Sequence, residues 1–228
     1  VSRPGVFVTL EGGEGTGKTT QLALLARRVE AAGWSAVTTR EPGGTALGAR
    51  VRELLVRVSD DPPGALAELF LYAADRAHHV ETVIRPALAA GRAVLCDRYA
   101  DATEAYQGYG RGLPREVVRD VNRLATGGLW PRRTAVLDLP PAEGVRRSLE
   151  RQRRSHGPRE ERFEAELLAF HERVRAGYRA LAALFPERVR LVDASGPPEA
   201  VAERVWAEVA EVFSEGGRMR AEEARRVV

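Results

Sequence analysis

Two spacings of apolar residues alternate along the chain. Short β-rich runs at 6–10, 35–39, 93–97, 134–139 and 188–192 read as five strands. Helical stretches read at 18–32, 46–58, 65–90, 114–126, 141–150, 164–184 and 198–213. Gly33 closes the first of these and Gly91 the third, where Pro86 predicts a kink. Residues 214–228 are charged and read as a tail beyond a single domain of residues 1–213. Strands alternating with helices predict a parallel sheet covered by helices on both faces. In such sheets ligands sit beyond the carboxyl ends of the strands. The segments after the first three strands, 12–19, 40–45 and 97 onward, should therefore meet at one rim.

The first of those segments carries the sharpest chemical signal. Gly12-Gly13-Glu14-Gly15-Thr16-Gly17-Lys18-Thr19 matches G-x-x-x-x-G-K-[ST], with a strand before it and a helix after it. Such a loop turns backbone N–H groups inward around the phosphates of ATP, and the helix N-terminus adds a favourable partial charge. Lys18 is expected at the β- and γ-phosphates, and the Thr19 hydroxyl as a ligand of Mg²⁺. Composition strengthens this reading. The chain has 35 Lys plus Arg, and Lys18 is its sole lysine. A chain so biased toward arginine keeps its lysine where a compact ammonium matters most.

The third strand ends in Asp97, placed to hold Mg²⁺ directly or through water, and Arg98 follows. Many hydrolases of this loop type carry a water-activating Glu there. An arginine, a phosphate binder by geometry and permanent charge, favours transfer to a phosphorylated acceptor. An ordinary strand-end salt bridge is the competing reading of this pair. The net charge of +3 suits small anionic substrates or nucleic acid. The absence of stacked aromatics in a basic groove argues against nucleic acid. One cysteine, Cys96, excludes an internal disulfide and reads as packing. No apolar run approaches the roughly 20 residues of a membrane helix, and the start of the chain lacks a signal-peptide core, so a cytoplasmic enzyme without a membrane partner is expected. His78 and His79 are adjacent, point in different directions on a helix, and make a poor metal pair.

Four blocks together resemble the thymidylate kinases. They are Glu11-Gly12-Gly13-Glu14-Gly15-Thr16-Gly17-Lys18-Thr19-Thr20, Thr39-Arg40-Glu41-Pro42-Gly43-Gly44-Thr45, Asp97-Arg98-Tyr99 and Ala105-Tyr106-Gln107-Gly108. The resemblance runs from about Val6 to Phe213. It implies the P-loop nucleoside monophosphate kinase fold, an α/β fold with a five-stranded parallel sheet and a small arginine-rich lid. It also implies a homodimer that transfers the γ-phosphoryl group of ATP to dTMP. On the same resemblance, Arg98 assisted by Arg40 would hold the acceptor phosphate, and Glu14 would accept from the sugar 3′-hydroxyl. Tyr72 would stack on thymine, and Arg76, one turn further on, would donate to the base O4. Thr103 would read the base N3 edge, Tyr106 would crowd the sugar C2′, and Gln107 would order the site.

The arginine-rich segment at about 151–162 resembles the family lid. Some members place a transition-state arginine in the phosphate loop, which here has none. The pattern resembles the bacterial type whose lid supplies the cation, with Arg151 and Arg162 aligned best among Arg151, Arg153, Arg154, Arg159 and Arg162. A charge run of this kind also reads as a solvated helix face. The chain departs from the family pattern at Ala102 (often Ser), Glu161 (often Asp) and Tyr72 (commonly Phe). A cytidylate or uridylate kinase, a P-loop ATPase and a GTPase are the rival readings. The last lacks the lysine of its guanine-reading motif.

Overall fold

The computed structural model describes residues 3–57, 59–154, 162–163 and 166–214. Five strands, β1 (Val6–Gly12), β2 (Ala36–Arg40), β3 (Ala93–Asp97), β4 (Arg133–Asp138) and β5 (Val189–Asp193), form one sheet in the order β2-β3-β1-β4-β5. Every pairing is parallel. β1 lies at the centre and is buried at all of its positions. The register sets Leu10, Arg40 and Asp97 side by side, so the ends of β1, β2 and β3 do reach one rim.

The period-2 alternation of β1 divides its side chains between two layers. Val6, Val8 and Leu10 pack with Leu25 and Val29 of α1 (Lys18–Ala31) and with Val201, Val205 and Val209. These last three belong to the closing helix of the fold, Pro198–Val209. Burying each such side chain stabilises the fold by about 1.5–3 kcal/mol. Phe7 faces the opposite layer, where it meets Tyr99 edge-on at 5.0 Å. Thr9 and Glu11 point the same way as Phe7 and are also fully buried, which makes this face polar toward the site.

Next along the chain come α2 (Ala46–Val56), α3 (Ala65–His79) and α4 (Arg85–Ala89). The helix expected over 65–90 is interrupted by a wide π-helical turn, Val80–Ile84, rather than by a proline kink. Pro86 instead sits in the first turn of α4, where its missing N–H is harmless. Two further helical pieces, α5 (Ala100–Thr103) and a π-helical continuation Glu104–Gly110, lie where the apolar spacing marked no element. Its glycines, Gly108 and Gly110, mask the helical pattern. Then follow α6 (Arg115–Thr126), α7 (Pro141–Arg154), α8 (Leu168–Leu184) and α9 (Pro198–Val209). α8 starts four residues later than the helix expected from 164. Among the described residues no helix is long and apolar enough to cross a membrane.

Candidate active site

The phosphate loop leaves β1 at Gly12 and enters α1 at Lys18. Gly17 caps the helix in the left-handed region at φ 88°, which a residue with a side chain rarely adopts. Gly15 has φ 64°, and a Cβ there would lie 1.9 Å from the carbonyl oxygen of Gly144 in α7. The loop therefore packs backbone to backbone against α7, and position 15 has no room for an arginine. Lys18 folds over the loop and donates to the carbonyls of Gly12 at 3.2 Å and Gly13 at 2.8 Å. Burial and the neighbouring Arg98 lower its ammonium to about 8, against the pull of Glu14 and Asp97. Thr16 bonds the Gly13 carbonyl at 3.1 Å. The Thr19 hydroxyl lies 3.4 Å from a carboxylate oxygen of Asp97, so the two expected metal ligands are brought together.

Beside them stand Arg98, Glu14 and Tyr106. Arg98 has φ 69°, the only positive value outside glycine among the described residues. Its Nη2 donates to Glu14 Oε1 at 2.8 Å, and the Tyr106 hydroxyl donates to the same oxygen at 2.7 Å. The guanidinium also lies over the Tyr106 ring, 4.8 Å from its centre. Burial alone would raise the Glu14 carboxyl, but Arg98, Lys18 and the Tyr106 hydroxyl hold it down at about 2. Glu14 is thus an anion whose Oε2 remains for a ligand. Arg98 Nη1 is buried without a hydrogen-bond partner, a donor poised for an acceptor oxygen. Arg40 stands exposed at the end of β2, in register with Asp97.

The expected base pocket contains more framework than the sequence indicated. Arg76 is only 1% exposed. Its Nε donates to Glu41 Oε2 at 2.9 Å, and its Nη1 donates to Thr103 Oγ1 at 3.0 Å and to Asn122 Oδ1 at 2.7 Å. Nε and Nη1 are thereby committed, which leaves the Nη2 edge for a base. Thr103, expected at the base N3 edge, is buried and in this structure orients Arg76. Glu41 also binds His79 Nδ1 at 2.9 Å, and His79 Nε2 meets the Thr39 hydroxyl at 2.7 Å. His79 is therefore structural, as its neighbour's direction suggested. Asp75 packs under this cluster, where burial and Glu41 raise its carboxyl to about 6. Tyr72 is half-buried against the core formed by Tyr106, Phe163 and Phe170.

One turn before Tyr72, the fully buried Glu68 joins three segments. It accepts from Gln107 Nε2 at 2.6 Å, from Arg111 at 3.4 Å and from Arg162 at 2.6 Å. Gln107 therefore does order the site, through Glu68. Arg162 also donates to the carbonyls of Leu55 at 2.9 Å and Pro63 at 3.2 Å. Expected at the transferring phosphoryl group, it is instead tied to the ends of α2 and α3. Arg111 is further bound to Glu166. Arg151 lies in α7, but its side chain falls outside the described residues, and so does Arg159. Glu11, Glu41, Glu68, Arg111 and Asn122 were missed as site supports by sequence reasoning. The partners that reveal Glu68 lie up to 94 positions away, at Arg162, and no local pattern marks them.

Comparison with known proteins shows which family the chain resembles. A family model described as thymidylate kinase matches residues 10–205. A thymidylate kinase of Synechococcus sp. (strain JA-2-3B'a(2-13)) is 55% identical over 204 residues, covering 90% of this chain and 94% of its own. One from Nitratidesulfovibrio vulgaris is 52% identical over 214 residues, covering 93% and 100%. The crystal structure of thymidylate kinase from Ehrlichia chaffeensis superposes with a TM-score of 0.71 at 30% identity, covering 91% of this chain and 99% of that one.

Proposed function

The chain belongs to the thymidylate kinase family, and from that premise we propose how its residues phosphorylate dTMP with ATP. The observation that carries the reading is Arg98, a part-buried arginine whose buried Nη1 has no partner, set beside a phosphate loop and the Glu14 carboxylate. The phosphate loop, Gly12 to Thr19, holds the ATP phosphates, and Lys18 swings from its loop carbonyls to the β- and γ-phosphates. Arg98, with Arg40 at the next strand end, holds the phosphate of dTMP. Glu14 Oε2 takes the sugar 3′-hydroxyl. Tyr106, fixed on Glu14, sits against the sugar C2′. Tyr72 stacks on the base, and the Nη2 edge of Arg76 meets its O4.

Thr19 and Asp97 offer a hydroxyl and a carboxylate, the hard oxygen donors that suit Mg²⁺, with phosphate oxygens and water to complete the set. When bound, Mg²⁺ supplies charge neutralisation at the phosphates. The acceptor phosphate oxygen is already ionised near neutral pH, so the protein has no strong base to provide. A bond forms between that oxygen and the γ-phosphorus, and the bond to the β-phosphate oxygen breaks, leaving ADP. Alignment and charge neutralisation are then the protein's whole contribution. With position 15 closed by Gly144, the transition-state cation comes from the lid. On this reading Arg151 takes that role. Arg162 must first leave Glu68.

Residues 1–213 act as one kinase domain with the tail outside it, in the cytoplasm, where ATP and nucleoside monophosphates are found. The working unit is a homodimer. Leu47 and Leu54 on α2, Leu66 and Phe70 on α3 and Leu124 on α6 are exposed apolar side chains on helices that pack against one another. They supply an apolar face for a second copy. Nucleic acid and membrane have no part in this reading. A panel of monophosphate acceptors, read by ADP release, tests it. dTMP should be best, dUMP detectable and dCMP poorest. Preference for dCMP would overturn the base pocket and leave the phosphate loop standing.

A further inference from the structure

Glu11 is the next-to-last residue of β1, on the polar face of the sheet, and no step above uses it. It is 0% exposed. One carboxyl oxygen accepts the Tyr99 N–H at 2.7 Å, and the other lies 2.9 Å from the Tyr178 hydroxyl. Tyr99 directly follows Arg98, whose left-handed backbone is disfavoured for a residue with a Cβ. Such a conformation persists only where its surroundings over-determine it. Here β1 grips both peptides of the turn. Leu10 O accepts the Arg98 N–H at 2.9 Å, and Glu11 accepts the Tyr99 N–H. The first grip is an ordinary backbone bond at the carboxyl end of the central strand. The second needs a side chain of one length, reaching from the next-to-last residue of the strand.

We propose that Glu11 is a positioning residue for the acceptor phosphate. By fixing the peptide after Arg98 it holds the turn that aims the unpartnered Nη1 of Arg98 at the phosphate. The inference rests on the reading of Arg98 as the acceptor-phosphate ligand. Burial, and then Asp101, raise the Glu11 carboxyl to about 8, so at neutral pH it carries a proton. The neutral acid still accepts from Tyr99 through one oxygen and can give its proton to Tyr178 through the other. Glutamine keeps both functions. Aspartate is one methylene short of them, and methionine fills the space without an acceptor.

The test compares the affinities of dTMP and thymidine, by calorimetry without ATP, in folded protein. Their ratio isolates the phosphate, and a merely structural role would lower both affinities together. In the wild type the ratio should be roughly 10- to 100-fold, as expected for charge-assisted hydrogen bonds. Glu11→Gln should keep it. Glu11→Met and Glu11→Asp should reduce it severalfold or more with thymidine binding unchanged. The aspartate variant, which keeps a carboxyl in the same setting, decides the matter if the methionine variant does not fold. A wild-type ratio in either of these two variants overturns the inference, as does a parallel loss of thymidine binding or a loss in Glu11→Gln equal to theirs. Arg98→Ala separates the two levels of the argument. If it too keeps the wild-type ratio, the reading of Arg98 itself is wrong.

Discussion

The phosphate loop and the acceptor wall hold phosphates by opposite means. The loop uses backbone, shaped by Gly15 and Gly17 at positive φ, and one side chain, Lys18. The wall uses a side chain, Arg98, and surrounds it with carboxyl groups and tyrosines drawn from five elements. Glu11 comes from β1, Glu14 from the loop, Tyr106 from the segment after α5, Tyr178 from α8 and Tyr99 from the turn itself. A backbone site depends on local conformation and tolerates change in its distant surroundings. A side-chain site is only as well placed as the network that holds it.

Substitutions should separate the two regions. The largest effect is expected at Lys18. Lys18→Ala removes the cation from the transferring phosphoryl group and should lower kcat by about 10³-fold or more, with an unchanged circular dichroism spectrum. Near-normal turnover in the folded variant would remove Lys18 from the chemistry. The framework behind the acceptor site should respond differently, through stability. Glu68→Ala strips Arg111, Arg162 and Gln107 of a shared buried partner. Removing one member of a buried ion pair typically destabilises by about 3–5 kcal/mol, so denaturant unfolding should show a loss of that order. An unaltered midpoint would mean that Glu68 does not tie these segments together. A smaller and more selective effect is expected at Arg76. An unpaired buried polar group costs about 1–3 kcal/mol. Arg76→Ala should therefore depress kcat/KM for dTMP relative to dCMP by roughly tenfold. An equal fall for both acceptors would make Arg76 a framework residue alone.

The same contrast explains what could be read from the chain. The parallel five-stranded sheet followed from the alternation of strands and helices. The loop followed from a short motif whose glycines and lysine act where they stand. Arg98, Glu14 and Tyr106 were legible as residues, and the structure brings them within hydrogen-bond reach of one another. Their supports were not. Glu41 and Glu68 serve Arg76 and Arg162 at separations of 35 residues and more. Nothing in a local window distinguishes such a buried glutamate from a solvated one. The π-helical segment 104–110 escaped for another reason. Its glycines lower helix propensity, and packing against α8 overrides them. At Gly110 a Cβ would lie 2.7 Å from the Phe170 ring, so the missing side chain makes room for that contact.

The central claim is that the chain carries two separate phosphate sites, one for the donor and one for the acceptor. A crossed binding experiment tests it most directly. ATP and dTMP would each be titrated into the wild type, Lys18→Ala and Arg98→Ala. The account predicts that Lys18→Ala weakens ATP and leaves dTMP affinity near the wild-type value, whereas Arg98→Ala weakens dTMP and leaves ATP. Arg98→Ala that binds dTMP normally and loses ATP would contradict it.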